Sequence, residues 1–167
     1  MKKTFITISF LAICMALFAQ EIPQIQLKNL NGKAVSSKTF VQNDGKPVLI
    51  CFFATWCKPC VQELSTYNDL LEKWHKETGV KIVAIATDNS RSANRVAPFV
   101  ESKDWDFDVF LDTNGDFKRA MNVVNEPHTF LVDGKGKIVW QHTSYLPGDE
   151  KEVYETIKKV AEGKSLK

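Results

Sequence analysis

The sequence lacks the charge pattern of a nucleic-acid-binding or lipid-binding protein. No run of basic residues occurs in the 167-residue chain, and its 22 lysines and arginines nearly balance its 20 aspartates and glutamates. This distribution gives no electrostatic footprint for nucleic acid and no polybasic patch for anionic lipid. Internal repeats, low-complexity tracts and linkers are also missing. We therefore expect one globular domain and no nucleic-acid partner.

Cysteine is scarce, and its spacing limits the chemistry. Of the four cysteines, only Cys57 and Cys60 lie close together in the chain. A structural zinc ion needs four ligands, and the sequence offers neither a second cysteine pair nor a histidine at ligand spacing. A structural disulfide and a redox-active pair are the other interpretations of Cys57 and Cys60. We expect redox activity, with no metal and no further cofactor.

Long apolar runs are missing too, except at the N-terminus. Met1-Lys2-Lys3 precedes an almost wholly apolar run of 15 residues, Phe5 to Ala19. A membrane-spanning helix needs about 20 such residues, so the layout predicts a signal peptide over residues 1–19, cleaved near Ala19. An uncleaved membrane anchor is the alternative. Cleavage would leave a formally neutral chain in the periplasm or another extracytoplasmic compartment, where conditions are oxidising.

Hydrophobic periodicity in residues 20–167 alternates between strands and helices. The run Val48 to Ala54 is apolar throughout and predicts a buried central strand, whereas apolar residues recur at helical spacing from Val61 to Trp74. The other predicted elements are an opening hairpin through Asn31-Gly32, a strand at 80–86, a helix at 92–103, a strand at 109–111, a short helix after Asn114-Gly115, an extended segment at 129–132, a hairpin into 138–141 and a closing helix through 153–161. This order predicts an α/β fold with a mixed central sheet and helices on both faces.

Cys57 and Cys60 are predicted at the junction between the central strand and the following helix. Unpaired N–H groups and the positive dipole end of a helix N-terminus stabilise an anion, which here is a thiolate. Lys58 adds a positive charge, and Pro59 suits the first helical turn. The Cys57 thiolate can attack a disulfide, and Cys60, one turn away, can then displace the mixed disulfide. We therefore predict that Cys57 is the exposed attacking thiol and Cys60 the buried resolving thiol.

The segment Gly45 to Cys60, which ends in Trp56-Cys57-Lys58-Pro59-Cys60, resembles the thioredoxin superfamily and especially its exported TlpA/ResA-type branch. Two further features occur in the family's order, namely Pro127 shortly before an extended segment at 129–133 and the final hairpin. The chain also has room for one extra strand-helix unit, which resembles the same branch. The resemblance covers nearly all of the mature chain and implies a thioredoxin-like domain over residues 20–167.

The resemblance also implies a surface for binding substrate. Pro127 would form a cis peptide bond beside the cysteines, and the backbone of Glu126 would pair with a bound peptide as an added strand. Trp56 would belong to the same surface, with a half-buried structural role as the alternative. A carboxylate at Glu126 would destabilise the Cys57 thiolate, pull the reduction potential toward reducing values and favour basic clients. If Glu126 points to solvent instead, screening would leave it little influence.

Glu63 matches an acid that follows the cysteine motif in TlpA/ResA-type proteins, where a partly buried carboxylate helps manage protons at the thiols. We predict a raised pKa for Glu63, and the alternative is a first-turn glutamate that only complements the helix dipole. Ser65 replaces a family proline, which leaves the local helix geometry open. Cys51 stands where relatives have aspartate or asparagine, and its buried thiol is expected to be inert. His128 is a second candidate for proton transfer, beside an expected packing role.

These features predict an enzyme, namely a monomeric thiol-disulfide oxidoreductase that acts on exported cysteine-containing proteins. We expect it to work as a reductase that receives electrons from a membrane or periplasmic donor, with apocytochrome c among the candidate clients, as in relatives. A thiol peroxidase shares the fold, but its Pro-x-x-x-Thr-x-x-Cys setting does not occur in this sequence. A copper metallochaperone of this fold uses Cys-x-x-x-Cys, which is one residue longer than the spacing found here.

Overall fold

A computed structural model describes residues 20–166, which fold around one sheet. The predicted signal peptide lies outside this range. The described elements are β1 (Gln26–Asn29), β2 (Ala34–Ser36), α1 (Ser37–Phe40), β3 (Val48–Phe53), α2 (Lys58–Thr78), β4 (Lys81–Ala86), a 3₁₀ turn (Ala93–Arg95), α3 (Val96–Ser102), β5 (Asp108–Leu111), α4 (Asp116–Ala120), β6 (His128–Val132), β7 (Ile138–Thr143) and α5 (Glu150–Ala161). The predicted order of strands and helices is confirmed, and α1 is an element that the sequence pattern did not indicate.

The sheet has seven strands in the order β2-β1-β5-β4-β3-β6-β7. The strands β3, β4 and β5 are parallel to one another, while β6 and β1 run antiparallel to their neighbours β3 and β5. The predicted mixed sheet is therefore confirmed. The strand β3 lies near the centre, and all six of its residues are buried, as an unbroken apolar run predicts.

Alternate residues of β3 enter two separate cores. Leu49 and Phe53 join a core with apolar residues of α2, α3 and α5. Ile50 and Phe52 join the other core, to which α1 contributes Phe40 and α4 contributes its own apolar residues. Helices therefore cover both faces of the sheet, as predicted. Each such fully buried large side chain stabilises the fold by about 1.5–3 kcal/mol relative to an exposed one.

The pairing register brings several loops to one edge of the sheet. Phe53 at the end of β3 pairs with Ala86 at the end of β4, and Ala86 pairs with Leu111 at the end of β5. Phe52 also pairs with His128, the first residue of the antiparallel β6. The loops that follow β3, β4 and β5 and the loop that precedes β6 consequently meet at this edge. Among residues 20–166, no helix has the length and apolar character needed to cross a membrane.

Candidate active site

Cys57 and Cys60 form a disulfide at the N-terminus of α2, with their Cα atoms 5.3 Å apart. Cys57 is the N-cap of the helix, and its Sγ accepts a hydrogen bond of 3.3 Å from the backbone N–H of Cys60. Cys57 is 7% exposed and Cys60 is 0% exposed. Cys57 is thus less exposed than expected from the sequence, although it is the more exposed residue of the pair. The attacking role of Cys57 stays a prediction.

A buried aspartate from the loop after β4 anchors the loop in front of the disulfide. Asp88 follows β4 and is 2% exposed. Its Oδ2 accepts the backbone N–H of Thr55 at 2.9 Å, and its Oδ1 accepts the Thr55 hydroxyl at 2.6 Å. Thr55 lies two residues before Cys57, so these bonds restrict the approach of the chain to the redox pair. Asp88 was not predicted from the sequence, although an acid two residues after a buried strand was a usable signal.

Glu63 lies inside the protein, one helical turn after Cys60, and is 1% exposed. Its Oε1 accepts two hydrogen bonds, from the hydroxyl of Tyr67 at 3.1 Å and from the hydroxyl of Thr129 at 3.0 Å. Its Oε2 has no hydrogen-bond partner among the described residues. The two oxygens are therefore inequivalent, and Oε2 is the oxygen at which a proton would reside.

Burial is the main cause of the raised pKa of Glu63, which lies at about 7. The hydrogen bonds from Thr129 and Tyr67 oppose this effect, because they stabilise the ionised form. The predicted raised pKa is confirmed, and the burial is more complete than expected. A carboxyl group that is half protonated near neutral pH is a poor partner for the helix dipole. The geometry therefore favours the proposed proton-handling role, which itself stays a prediction.

We expect Tyr67→Phe to raise the pKa of Glu63 further, from about 7 toward about 8. The substitution keeps the buried ring and removes only the hydroxyl that donates to Oε1. This hydrogen bond stabilises the ionised carboxylate more than the protonated acid, so its loss favours the protonated form. A ¹³C NMR titration of the Glu63 side-chain carboxyl in the oxidised protein measures the change. Tyr145→Phe is the matched control, because the Tyr145 hydroxyl bonds Thr66 and Glu150 instead. An equal shift in both variants would contradict the direct contact.

Cys51 and Ser65, at which the family resemblance implied other residues, have simple structural outcomes. Cys51 is a free thiol that is fully buried in β3, and burial together with the Glu63 charge raises its pKa well above the ordinary value. Both properties agree with the expected lack of reactivity. Ser65 does not interrupt α2, and its Oγ accepts a hydrogen bond of 3.2 Å from the indole N–H of Trp105. The helix geometry left open by the missing proline is thus regular.

The residues predicted for substrate binding lie at the same edge of the sheet as the disulfide, in the loop after β3 and the loop before β6. Trp56 is 73% exposed, so its alternative half-buried role is wrong. The Glu126–Pro127 peptide bond is cis, as the resemblance implied, and the Pro127 carbonyl accepts a hydrogen bond from the Ser144 N–H. His128 stacks on Phe130 with ring centroids 4.4 Å apart, and burial lowers its pKa. His128 therefore has the expected packing role.

Glu126 forms an ion pair that was not predicted. The Lys118 Nζ lies 2.6 Å from its Oε1, and the Glu126 side chain is only 8% exposed. The carboxylate of Asp112 caps α4 by accepting the backbone N–H groups of Phe117 and Lys118, which places Lys118 near Glu126. The alternative in which Glu126 points to solvent is therefore wrong. The assumption of an uncompensated carboxylate is wrong as well, because Lys118 offsets its charge.

This pairing changes the expected effect of Glu126 on the redox couple. Glu126→Thr should still make the protein more oxidising, because it leaves Lys118 to stabilise the thiolate, but by no more than about 30 mV. Lys118→Met should move the potential in the opposite direction, and the double variant should lie near the wild type. Reduction potentials of the wild type, the two single variants and the double variant, measured at low salt against a glutathione series, test this double-mutant cycle. An unchanged or more negative potential in Glu126→Thr would contradict the predicted effect of this charge.

Comparison with known proteins agrees with this architecture. A family model described as the AhpC/TSA family matches residues 18–141. The thiol-disulfide oxidoreductase ResA of Bacillus thuringiensis subsp. konkukian is 37% identical over 120 residues, which cover 72% of this chain and 66% of ResA. The thioredoxin-like protein YneN of Bacillus subtilis is 34% identical over 137 residues, which cover 80% of this chain and 75% of YneN.

A solved structure shows the same relationship. The solution structure of an uncharacterized thioredoxin-like protein from Porphyromonas gingivalis is 43% identical to this chain and superimposes with a TM-score of 0.75. The match covers 84% of this chain and 92% of that one. The chain spans just under two thirds of the length of the ResA proteins that it matches. With a cysteine pair at a strand-helix junction and a cis-proline at the same sheet edge, the chain is a thioredoxin-like protein that belongs to the AhpC/TSA family.

Proposed function

We propose that this protein is a thiol-disulfide oxidoreductase that reduces disulfides in exported proteins. The observation that carries the proposal is the Cys57–Cys60 disulfide at the N-terminus of α2, in which Cys57 keeps a small exposed fraction and Cys60 is fully buried. In the reduced protein, Cys57 attacks a client disulfide and forms a mixed disulfide. Cys60 then attacks that bond, which releases the client as a thiol and regenerates the Cys57–Cys60 disulfide. The name of the ResA relatives supports this reaction.

Proton transfer is assigned to Glu63. Resolution requires Cys60 to lose a proton and the departing client thiolate to gain one. Glu63 is buried one turn from Cys60, has a pKa of about 7 and keeps Oε2 without a partner among the described residues. It can therefore exchange a proton near neutral pH. Trp56, Glu126 and Pro127 are assigned to client binding, in which the backbone beside the cis-proline pairs with an extended client segment.

The cellular setting follows from the N-terminal sequence. Residues 1–19 serve as a signal peptide cleaved near Ala19, and the mature protein works outside the cytoplasm as a monomer. Exported cysteine-containing proteins, of the kind that apocytochrome c represents, are its clients, and a membrane or periplasmic reductant regenerates it. N-terminal sequencing of the exported protein and its molar mass in solution test these points. A retained Met1 or a dimeric mass would contradict them.

The alternative functions find less support. The peroxidase setting is absent from the sequence, and the relatives reported above are not named as peroxidases. Within residues 20–166, no three histidine, cysteine or acidic side chains come together as potential metal ligands. Neither a peroxide-consuming cysteine nor a copper site is therefore favoured by a specific observation.

The reduction potential tests the proposed direction. A reductase should equilibrate with glutathione at a value between about −230 and −300 mV, whereas strong disulfide-forming oxidants lie near about −120 mV. The measurement requires only purified protein, a graded glutathione series and quantification of free thiols after acid quenching. A potential near the oxidant value would assign the protein to disulfide formation, and failure of Cys57 and Cys60 to equilibrate would reject exchange altogether.

A further inference from the structure

A groove beside the disulfide lies between the N-terminal part of α2 and the helix α3. Its volume is about 310 Å³, and it is lined by Thr55, Lys58, Val61, Gln62, Ser65, Phe99 and Lys103. The groove is continuous with the redox motif, because Lys58 stands between the two cysteines and Val61 directly follows Cys60. A polypeptide whose disulfide reaches Cys57 therefore has its neighbouring residues within reach of this groove.

The groove has an apolar floor held in place by contacts between the two helices. Val61 and Phe99 supply the apolar surface. The Phe99 ring packs edge to face on Trp105 at 5.8 Å, and Trp105 in turn donates its indole N–H to Ser65 of α2. These contacts tie α3 to α2, so the floor exists before any partner binds. A preformed surface of this kind reduces the entropic cost of binding.

The rim of the groove is positively charged. Lys58 and Lys103 both line it, and no acidic residue does. Neither lysine forms a salt bridge within the described part of the chain. The Lys103 Nζ lies 5.6 Å from the centre of the Phe99 ring, so its charge is held over the apolar floor. In the loop that carries the cis-proline, by contrast, the Glu126 charge is offset by Lys118.

We propose that this groove binds the segment of a client protein next to its reactive cysteine, and that it selects segments carrying an acidic and an apolar side chain. The apolar side chain lies on Val61 and Phe99, and the acidic one lies between Lys58 and Lys103. The inference rests on the proposed reductase function and specifies its client. The proposed preference for acidic segments is opposite to the preference for basic clients that was expected from the sequence because of the negative charge of Glu126.

Peptide disulfides of different charge test this selection. Each peptide has one cysteine in a mixed disulfide with 2-mercaptoethanol, flanked on both sides by Asp-Phe, Lys-Phe or Asp-Gly pairs. The second-order rate constant for oxidation of the reduced protein is measured in single turnover. We expect the Asp-Phe peptide to react about tenfold faster than the Lys-Phe peptide and several-fold faster than the Asp-Gly peptide.

Variants at Lys103 separate groove binding from general charge effects. Lys103→Gln should reduce the preference for Asp-Phe over Lys-Phe about threefold, and Lys103→Glu should abolish or invert it. Lys76→Glu makes the same charge change at the far end of α2 and should leave the preference intact. Bis(2-hydroxyethyl) disulfide, a small neutral substrate without flanking residues, is measured with each protein, and its rate normalises the peptide rates for any change in thiolate reactivity.

The possible results distinguish the selection from the function on which it rests. A preference that survives in Lys103→Glu, or that Lys76→Glu reduces equally, would overturn the groove as its source. An equal rate with Asp-Phe and Asp-Gly peptides would overturn the apolar contact. If the reduced protein reacts with none of these disulfides, including the neutral one, the proposed function fails before client selection is reached.

Discussion

Cys60→Ala is expected to convert the protein from an exchange enzyme into a trap for its clients. Cys57 can still attack a disulfide, but nothing resolves the mixed disulfide that results. Turnover should fall at least ~10³-fold, while covalent complexes accumulate. The expectation follows from the unequal exposure of the two cysteine residues, 7% for Cys57 and 0% for Cys60. A client cannot reach the buried sulfur without rearrangement of α2.

The measurement is mass spectrometry of nonreducing gel bands after incubation of the variant with exported proteins. Cys57→Ala serves as the matched control, since it keeps one thiol but places it inside the protein, and it should form few complexes. Cys51 remains in both variants and is fully buried, so it should not contribute. Trapping by Cys57→Ala instead of Cys60→Ala would reverse the assignment of the attacking thiol.

Glu63→Gln is expected to simplify the pH dependence of thiol alkylation. In the wild type, Glu63 is neutral below its pKa of about 7 and ionised above it, where its charge opposes thiolate formation nearby. The alkylation rate of the reduced protein should therefore deviate from a single titration curve between pH 6 and 8. The variant should follow a single curve. An unchanged profile would limit Glu63 to a role at the helix dipole.

The same substitution should change stability in a pH-dependent direction. The folded-state pKa of Glu63, about 7, lies above the ordinary value of 4.5. Below pH 4.5 the group is protonated in both states and contributes no difference. As the pH rises toward and beyond 7, Glu63 ionises more readily in the unfolded state than in the folded state. The free energy of unfolding therefore falls by on the order of 3 kcal/mol.

Glu63→Gln removes this loss, so its stability relative to the wild type should increase between pH 5 and pH 8. Urea unfolding of the oxidised proteins at the two pH values provides the measurement. Glu72→Gln, an exposed position on the same helix, should show no comparable trend. A constant difference between Glu63→Gln and the wild type across this range would show that Glu63 does not titrate as described.

Local sequence patterns predicted the parts of the site that neighbouring residues build. The apolar run at Val48 to Ala54 predicts a strand that is covered on both faces. The helical spacing of apolar residues after Pro59 predicts that the helix α2 follows this strand. The position of Cys57 and Cys60 at the helix N-terminus follows from these two signals. The cis-proline came from family resemblance, since nothing in its neighbours specifies the isomer.

The short helix α1 shows where such patterns are weak. It covers only Ser37–Phe40, which is too short to display a helical period. Its Phe40 stacks on Phe110 of β5 with ring centroids 4.8 Å apart and also contacts Phe117 of α4. Burial against these distant side chains, rather than local propensity, explains why this segment is ordered as a helix.

The sequence by itself determined the redox motif, the order of the strands and of the helices other than α1, and the acid that follows the cysteines, because each depends on residues close together in the chain. Only the tertiary structure decided the electrostatics around them. Thr129 reaches Glu63 across 66 positions of sequence, and Asp88 reaches Thr55 across 33. Lys118 offsets Glu126 because the Asp112 cap orients α4 toward the proline loop. Such contacts arise when sheet pairing brings separate loops to one edge, and no periodicity in the sequence records them.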